Sequence, residues 1–153
     1  LFGRKDANDK DLQKAIDIAA FRKDIEMLAD GLETLVGEKG VSLSGGQKQR
    51  ISIARALIKN PEVLILDDSL SAVDAKTEKK IINNIQKERK GKTTIITTHR
   101  MTAVQHANHI IVFDGGKIIE EGTHDQLMDN NGWYKEQYNR QQAETSEEQE
   151  VTA

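Results

Sequence analysis

The hydrophobic pattern of this chain changes period at Asn60-Pro61, and that change limits the class of fold it can adopt. Before the break, Leu12, Ala15, Ile16 and Ala19 recur at helical spacing, and Ile51, Ala54, Leu57 and Ile58 give a second stretch one apolar face. After it, Val63-Leu64-Ile65-Leu66 is continuously apolar, as in a parallel strand covered on both faces. Ile81, Ile82 and Ile85 then share a face of a helix spanning Lys76 to Lys90, and Thr93 to Thr97 reads as the next strand. A helical portion followed by strands alternating with helices predicts an α/β fold.

Local signals fill in the rest. A short helix is expected from Arg22 to Ala29, stopped by Gly31, and Gly37-Glu38-Lys39-Gly40 reads as a loop. Ser44 with Gln47, and Thr123 with Gln126, form capping-box patterns, while Gly91 ends the Lys76 to Lys90 helix. A short helix near Ala103 to Ala107 leads to strands Ile110 to Phe113 and Lys117 to Glu121, joined by Asp114-Gly115-Gly116. From Gln141 onward, Glu144, Glu147, Glu148 and Glu150 show no apolar periodicity and predict a disordered acidic tail.

Composition excludes several function classes. The 153 residues carry a formal net charge of −3, so no global basic field is available for nucleic acid. The longest apolar runs resemble Val63 to Leu66, far short of the roughly 20 residues a membrane helix needs. The absence of cysteine excludes disulfides and thiolate metal sites. Leu1 in place of a starting Met, with no leader after it, reads as a piece of a longer polypeptide.

Three segments carry candidate chemistry. In Leu43-Ser44-Gly45-Gly46-Gln47-Lys48-Gln49-Arg50, a helix beginning after Ser44 presents unpaired N–H groups and a positive dipole end, and two glycines let a polyanion approach the backbone. Ser44 and Gln47 add side-chain donors. Taken alone, Ser-Gly-Gly-Gln would be an ordinary capped helix. Asp67 and Asp68 close the apolar strand, where open α/β sheets place ligands and where a carboxylate can hold Mg²⁺, usually through water. In Thr97-Thr98-His99-Arg100, His99 ends the next strand and is expected at the same sheet edge, able to hydrogen-bond a phosphate as a neutral imidazole. His106, His109 and His124 have no such position and read as surface or capping residues. Lys90-Gly91-Lys92-Thr93-Thr94 imitates a phosphate loop, but it precedes a strand and has Gln86 where the first glycine would be.

In order and spacing these segments resemble the ATP-binding cassette ATPases: an LSGGQ signature, then an acidic Walker B strand, then a switch histidine. The resemblance implies that Ser44, Gly45, Gly46 and Gln47 contact the γ-phosphate of ATP held by an opposite subunit. It gives Asp67 the Mg²⁺, puts Asp68 where the family usually has a catalytic glutamate, and makes His99 the switch residue. Ser71-Ala72-Val73-Asp74 matches the D-loop that crosses the dimer interface; by spacing alone it would be only a helix start. The family's Walker A loop, adenine-stacking loop and Q-loop are not found, and all of them precede the signature. The resemblance therefore implies a partial P-loop NTPase core lacking its Walker A half. Residues 1–61 would be the helical signature subdomain, 62–140 the C-terminal part of the ATPase core, and 141–153 the tail.

Gly132-Trp133-Tyr134, with His124 and Leu127 upstream, resembles the exporter branch. Thr34-Leu35-Val36-Gly37-Glu38 sits where exporters carry a coupling loop, with Leu35 replacing an acidic residue. The resemblance implies an ATPase of a multidrug-exporter-like transporter, using ATP and Mg²⁺ at the cytoplasmic face of the cell membrane, with a membrane domain N-terminal in the same chain. A second cassette subunit is expected as partner, in a heterodimer, because Asp68 is one methylene shorter than glutamate. A soluble cassette ATPase of DNA repair or chromosome maintenance is disfavoured by the lack of zinc-binding cysteines, heptads and a basic face; a non-catalytic regulatory cassette is the other alternative. In this family the Walker A strand lies between the histidine strand and the Ile110 strand, so these 153 residues alone are expected to be inactive.

Overall fold

Asn8 opens the first helix, α1 (Asp9–Ile18), through a capping box with Asp11. The computed structural model describes residues 7–37 and 40–151, and the chain forms two units, 1–97 and 98–153. In the first unit α1 is followed by α2 (Arg22–Glu26), a 3-10 turn at Gly31–Glu33, α3 (Gly45–Leu57), β1 (Val63–Asp67), α4 (Ala75–Glu88) and β2 (Thr93–Thr97). Helix α2 is shorter than its sequence pattern because Met27 and Leu28 donate back to Asp24 and Ile25, tightening the chain into three-residue turns. Glu38, which ends the expected coupling-loop segment, and Lys39, in the loop read from Gly37 to Gly40, lie outside the described residues.

β1 and β2 run parallel, from Val63 opposite Thr93 to Asp67 opposite Thr97, with α4 as the crossover. Helix α1 packs against α3 and α4, and α3 against β1. The Asn84 side chain on α4 donates to the carbonyls of Asp17 and Ile18, closing the end of α1. These contacts explain why the first unit extends to Thr97 instead of ending near Pro61: the helices and the first two strands share one interior. Ile53 is the deepest residue of α3, at 1% exposed, so the buried stripe is rotated from the one drawn through Ile51 and Ala54.

The expectation that β1 is covered on both faces is corrected. Leu64 and Leu66 are buried, whereas Val63 and Ile65 are exposed, because α3 covers one face only. At the other end of the sheet, buried Arg89 donates to the carbonyls of Pro61 and Thr93 and to Thr94 Oγ1. The phosphate-loop imitation is a turn: Gly91 is left-handed at φ +81, and Lys92 Nζ is held by Asn60 and Glu62.

The second unit contains α5 (Met101–Val104), β3 (Ile110–Asp114), β4 (Lys117–Gly122), α6 (His124–Asp129) and α7 (Trp133–Val151). β3 and β4 form an antiparallel hairpin. Its core is Met101, Ile110, Val112, Leu127 and Tyr134, with Val104, Ala107, Met128 and Tyr138 packed against it. His124 belongs to this cluster more than to the surface: its Nδ1 lies 2.9 Å from Tyr134 Oη, and its ring meets both Tyr134 and Tyr138. Burial pushes the Tyr134 hydroxyl up to about 12.

The acidic segment from Gln141 is also corrected, since it continues α7 as far as Val151. Arg, Gln, Ala and Glu are strong helix formers, and Arg140 pairs with Glu144 one turn on, at 3.1 Å. Helical propensity decides where apolar periodicity is silent.

Candidate functional site

The signature segment forms the first turn of α3. Ser44 is the N-cap: its Oγ accepts from Gln47 N at 3.2 Å, and Gln47 Oε1 accepts from Ser44 N at 2.8 Å. Gln47 gives one of its two side-chain N–H donors to Asp24 on α2. It therefore holds the helix in place, a role the sequence did not reveal. Ser44 Oγ acts as an acceptor within the box, which leaves its proton to be donated elsewhere. The N–H groups of Gly45 and Gly46 open the helix, where no intrahelical acceptor exists for them.

Beneath this turn, α3 is fastened to α2. Arg50 pairs with Asp24 through both guanidinium NH groups and donates to the Ala20 carbonyl, with its plane over the Phe21 ring. Both partners are mostly buried. Burial acts to raise the Asp24 pKa, but hydrogen bonds from Arg50 and Gln47 outweigh it and leave the carboxyl below its ordinary value.

The helix start also abuts the loop that follows β1. A Cβ at Gly46 would lie 2.7 Å from the Ala72 carbonyl oxygen, so only glycine permits this approach. Gln49 then clamps the same loop. Its Oε1 accepts from Ala72 N at 2.9 Å, and its Nε2 donates to Ser71 Oγ at 2.9 Å and to the Asp68 carbonyl at 3.4 Å. Ser71 Oγ donates to the Asp68 carbonyl, and Asp74 caps α4 by accepting from Thr77 N, which holds its pKa down.

Asp67 and Asp68 occupy the exposed C-terminal end of β1. The parallel register brings Thr97 beside them: its Oγ1 donates to Asp67 Oδ1 and accepts from Asp68 N at 3.1 Å. Asp67 thus offers a hard, solvent-facing carboxylate of fixed orientation, a donor suited to Mg²⁺. Within the first unit, Ser44 to Gln47, Asp67, Asp68 and Ser71 are joined through Gln49, Thr97 and the approach of Gly46 to Ala72, while Asp74 stands apart from these contacts as the cap of α4. His99 belongs to the second unit; it is exposed, and its carbonyl accepts from Gln141 Nε2. Sequence reading missed Gln49, Thr97, the Asp24 pair of Arg50, and Gln141. A hydroxyl at the end of the neighbouring parallel strand was the one available signal, for Thr97.

The family described as ABC transporter matches residues 3–71. The probable multidrug resistance ABC transporter ATP-binding/permease protein YheI of Bacillus subtilis is 68% identical over 148 residues, covering 97% of this chain and 25% of that protein. This chain belongs to the ABC transporter family. The cassette is also similar to the multidrug resistance-like ATP-binding protein MdlA of Escherichia coli, 47% identical over 94% of this chain and 24% of that protein. A solved bacterial Atm1-family ABC exporter with ATP bound superposes with a TM-score of 0.84 at 38% identity, over 92% of the cassette and 25% of that chain. The cassette is thus part of a nucleotide-binding domain of the multidrug-exporter type, and it spans about a quarter of the length of these relatives. No helix among its described residues is long and apolar enough to cross a membrane.

Proposed function

We propose that the cassette is the C-terminal part of the ATP-binding and hydrolysing domain of an exporter, which couples ATP turnover to export of a substrate across a membrane. The single observation carrying this reading is the network that ties the signature helix to the acidic strand end, through Gly46 against Ala72 and Gln49 on Ser71, Ala72 and Asp68. One rigid piece thereby holds a polyanion-binding helix start and the carboxylates of a second site.

In this mechanism Asp67 would hold Mg²⁺, which would offset the charge of the phosphates. Asp68 orients or deprotonates the attacking water, and His99 hydrogen-bonds the γ-phosphate or that water. Ser44, Gly45, Gly46 and Gln47 donate to ATP held by a second cassette subunit, with Ser71 and Asp74 at the seam between subunits. The membrane domain is N-terminal in the same polypeptide, and the site works at the cytoplasmic face. Asp68 supports a heterodimer: its carboxylate sits roughly 1 Å or more short of glutamate's reach, a displacement that can cost on the order of 10²-fold. This cassette's own site would be slow, while the signature it lends to its partner is whole.

The test separates capping from phosphate binding at Ser44. Ser44→Asp keeps a good N-cap but sets a negative charge against the γ-phosphate. In the full-length protein it should lower ATPase turnover by on the order of 10²-fold, as should Ser44→Ala, with ATP binding at the cassette's own site retained. Parallel loss of binding and turnover would show that the segment is only a folding element.

A further inference from the structure

Helix α5 begins without the usual help. Its N-cap, Arg100, makes no side-chain capping hydrogen bond, and Met101 N is one of the donors that a helix start leaves without a backbone partner. The group that meets it comes from far along the chain: Gln141 Oε1 accepts from Met101 N at 2.9 Å. The same carboxamide donates through Nε2 to the His99 carbonyl at 2.8 Å. One planar amide thus grips the backbone on both sides of Arg100, while Arg100 N donates to Thr98 Oγ1 at 3.0 Å and closes the turn from within.

Gln141 arrives on a braced element. Tyr134 of α7 is 1% exposed in the core that also contains Met101, and Tyr138 Oη donates to Gln105 Oε1 at 3.2 Å. The imidazole of His99 is exposed, and the point from which it projects is set by the backbone that carries it. We infer that Gln141 is a positioning residue for His99, and that the docked C-terminal helix sets the place of the switch imidazole. The inference rests on the reading of His99 given above. A polar side chain outside every nucleotide motif would then govern the rate of turnover without touching ATP.

The experiment uses the full-length gene product with Gln141→Met, which keeps length and removes both hydrogen bonds, and with Gln141→Glu, which keeps the acceptor for Met101 N but sets a carboxylate against the His99 carbonyl. Both should lower the kcat of this cassette's own site, read throughout with the site completed by the second subunit silenced, by roughly tenfold or more, with the KM little changed, since small misplacements of a reacting group carry such costs. In a His99→Ala background the same variants should cause no further loss, and hydrogen exchange at the Met101 amide should quicken in Gln141→Met. Wild-type kcat in both Gln141 variants beside a slow His99→Ala overturns the inference alone. An equal loss in the His99→Ala background, or unchanged exchange at Met101, also overturns it. Wild-type turnover in His99→Ala would remove the reading of His99 and this inference with it.

Discussion

Asp68 lies in the left-handed region, at φ +46, a conformation that aspartate and asparagine bear better than other residues with a side chain. Its amide hydrogen is shared between the carbonyl and the hydroxyl of Thr97, so the turn is held from the neighbouring strand. Asparagine fits this backbone as well as aspartate does, which makes Asp68→Asn a clean chemical probe. In a heterodimer whose fast site is completed by a second subunit, Asp68→Asn and Asp68→Glu should leave most ATPase turnover intact. In a homodimer, Asp68→Asn should remove nearly all of it, by about 10²-fold or more. An active full-length protein purified with no second subunit would also argue for the homodimer. The two aspartates were legible in the sequence because an apolar strand ends on them. Gln49 and Thr97 were not, because their partners are fixed by packing between elements that no local pattern encodes.

Between α2 and α3, the pair of Asp24 and Arg50 is a joint whose strength is measurable. Their side chains are each 15% exposed, so removing one partner strands a charge in a poorly hydrated place. Arg50→Met should cost about 3 kcal/mol in thermal or denaturant unfolding, and a compensating Asp24→Leu should recover much of it. The pH dependence stems from the depressed pKa of Asp24. Its stabilising effect is complete above the ordinary carboxylate range, near about 4, and fades as the pH falls through the lower folded-state value. The melting temperature of Asp24→Asn should therefore fall less steeply than that of the wild type on the acid side. Elements bounded by caps were legible: Ser44 with Gln47, Thr123 with Gln126, and Gly91 all stand where the sequence put them. Helix α7 beyond Gln141 was not, because a solvated helix leaves no apolar stripe to read.

Across the whole molecule, β1 pairs with β2 and β3 with β4, and the described residues add no third strand to either sheet. Exposed apolar side chains line both: Val63, Ile65 and Ile95 on one, Phe113 and Ile118 on the other. Such open edges and faces favour association with other chains. The isolated 153 residues should hydrolyse no Mg-ATP and should associate as their concentration rises, as measured by turnover and light scattering. Turnover by this isolated chain that Asp67→Ala abolishes would contradict that expectation. The α/β class was legible from the change of period at Pro61. The division after Thr97 was not, because it depends on which helices share an interior with the first sheet. Trp133 is the single tryptophan of these residues; it is 45% exposed and starts the helix that carries Gln141. Its emission should redden toward that of indole in water when α7 lifts away, so within this stretch of chain the seating of that helix can be followed optically, with no label attached.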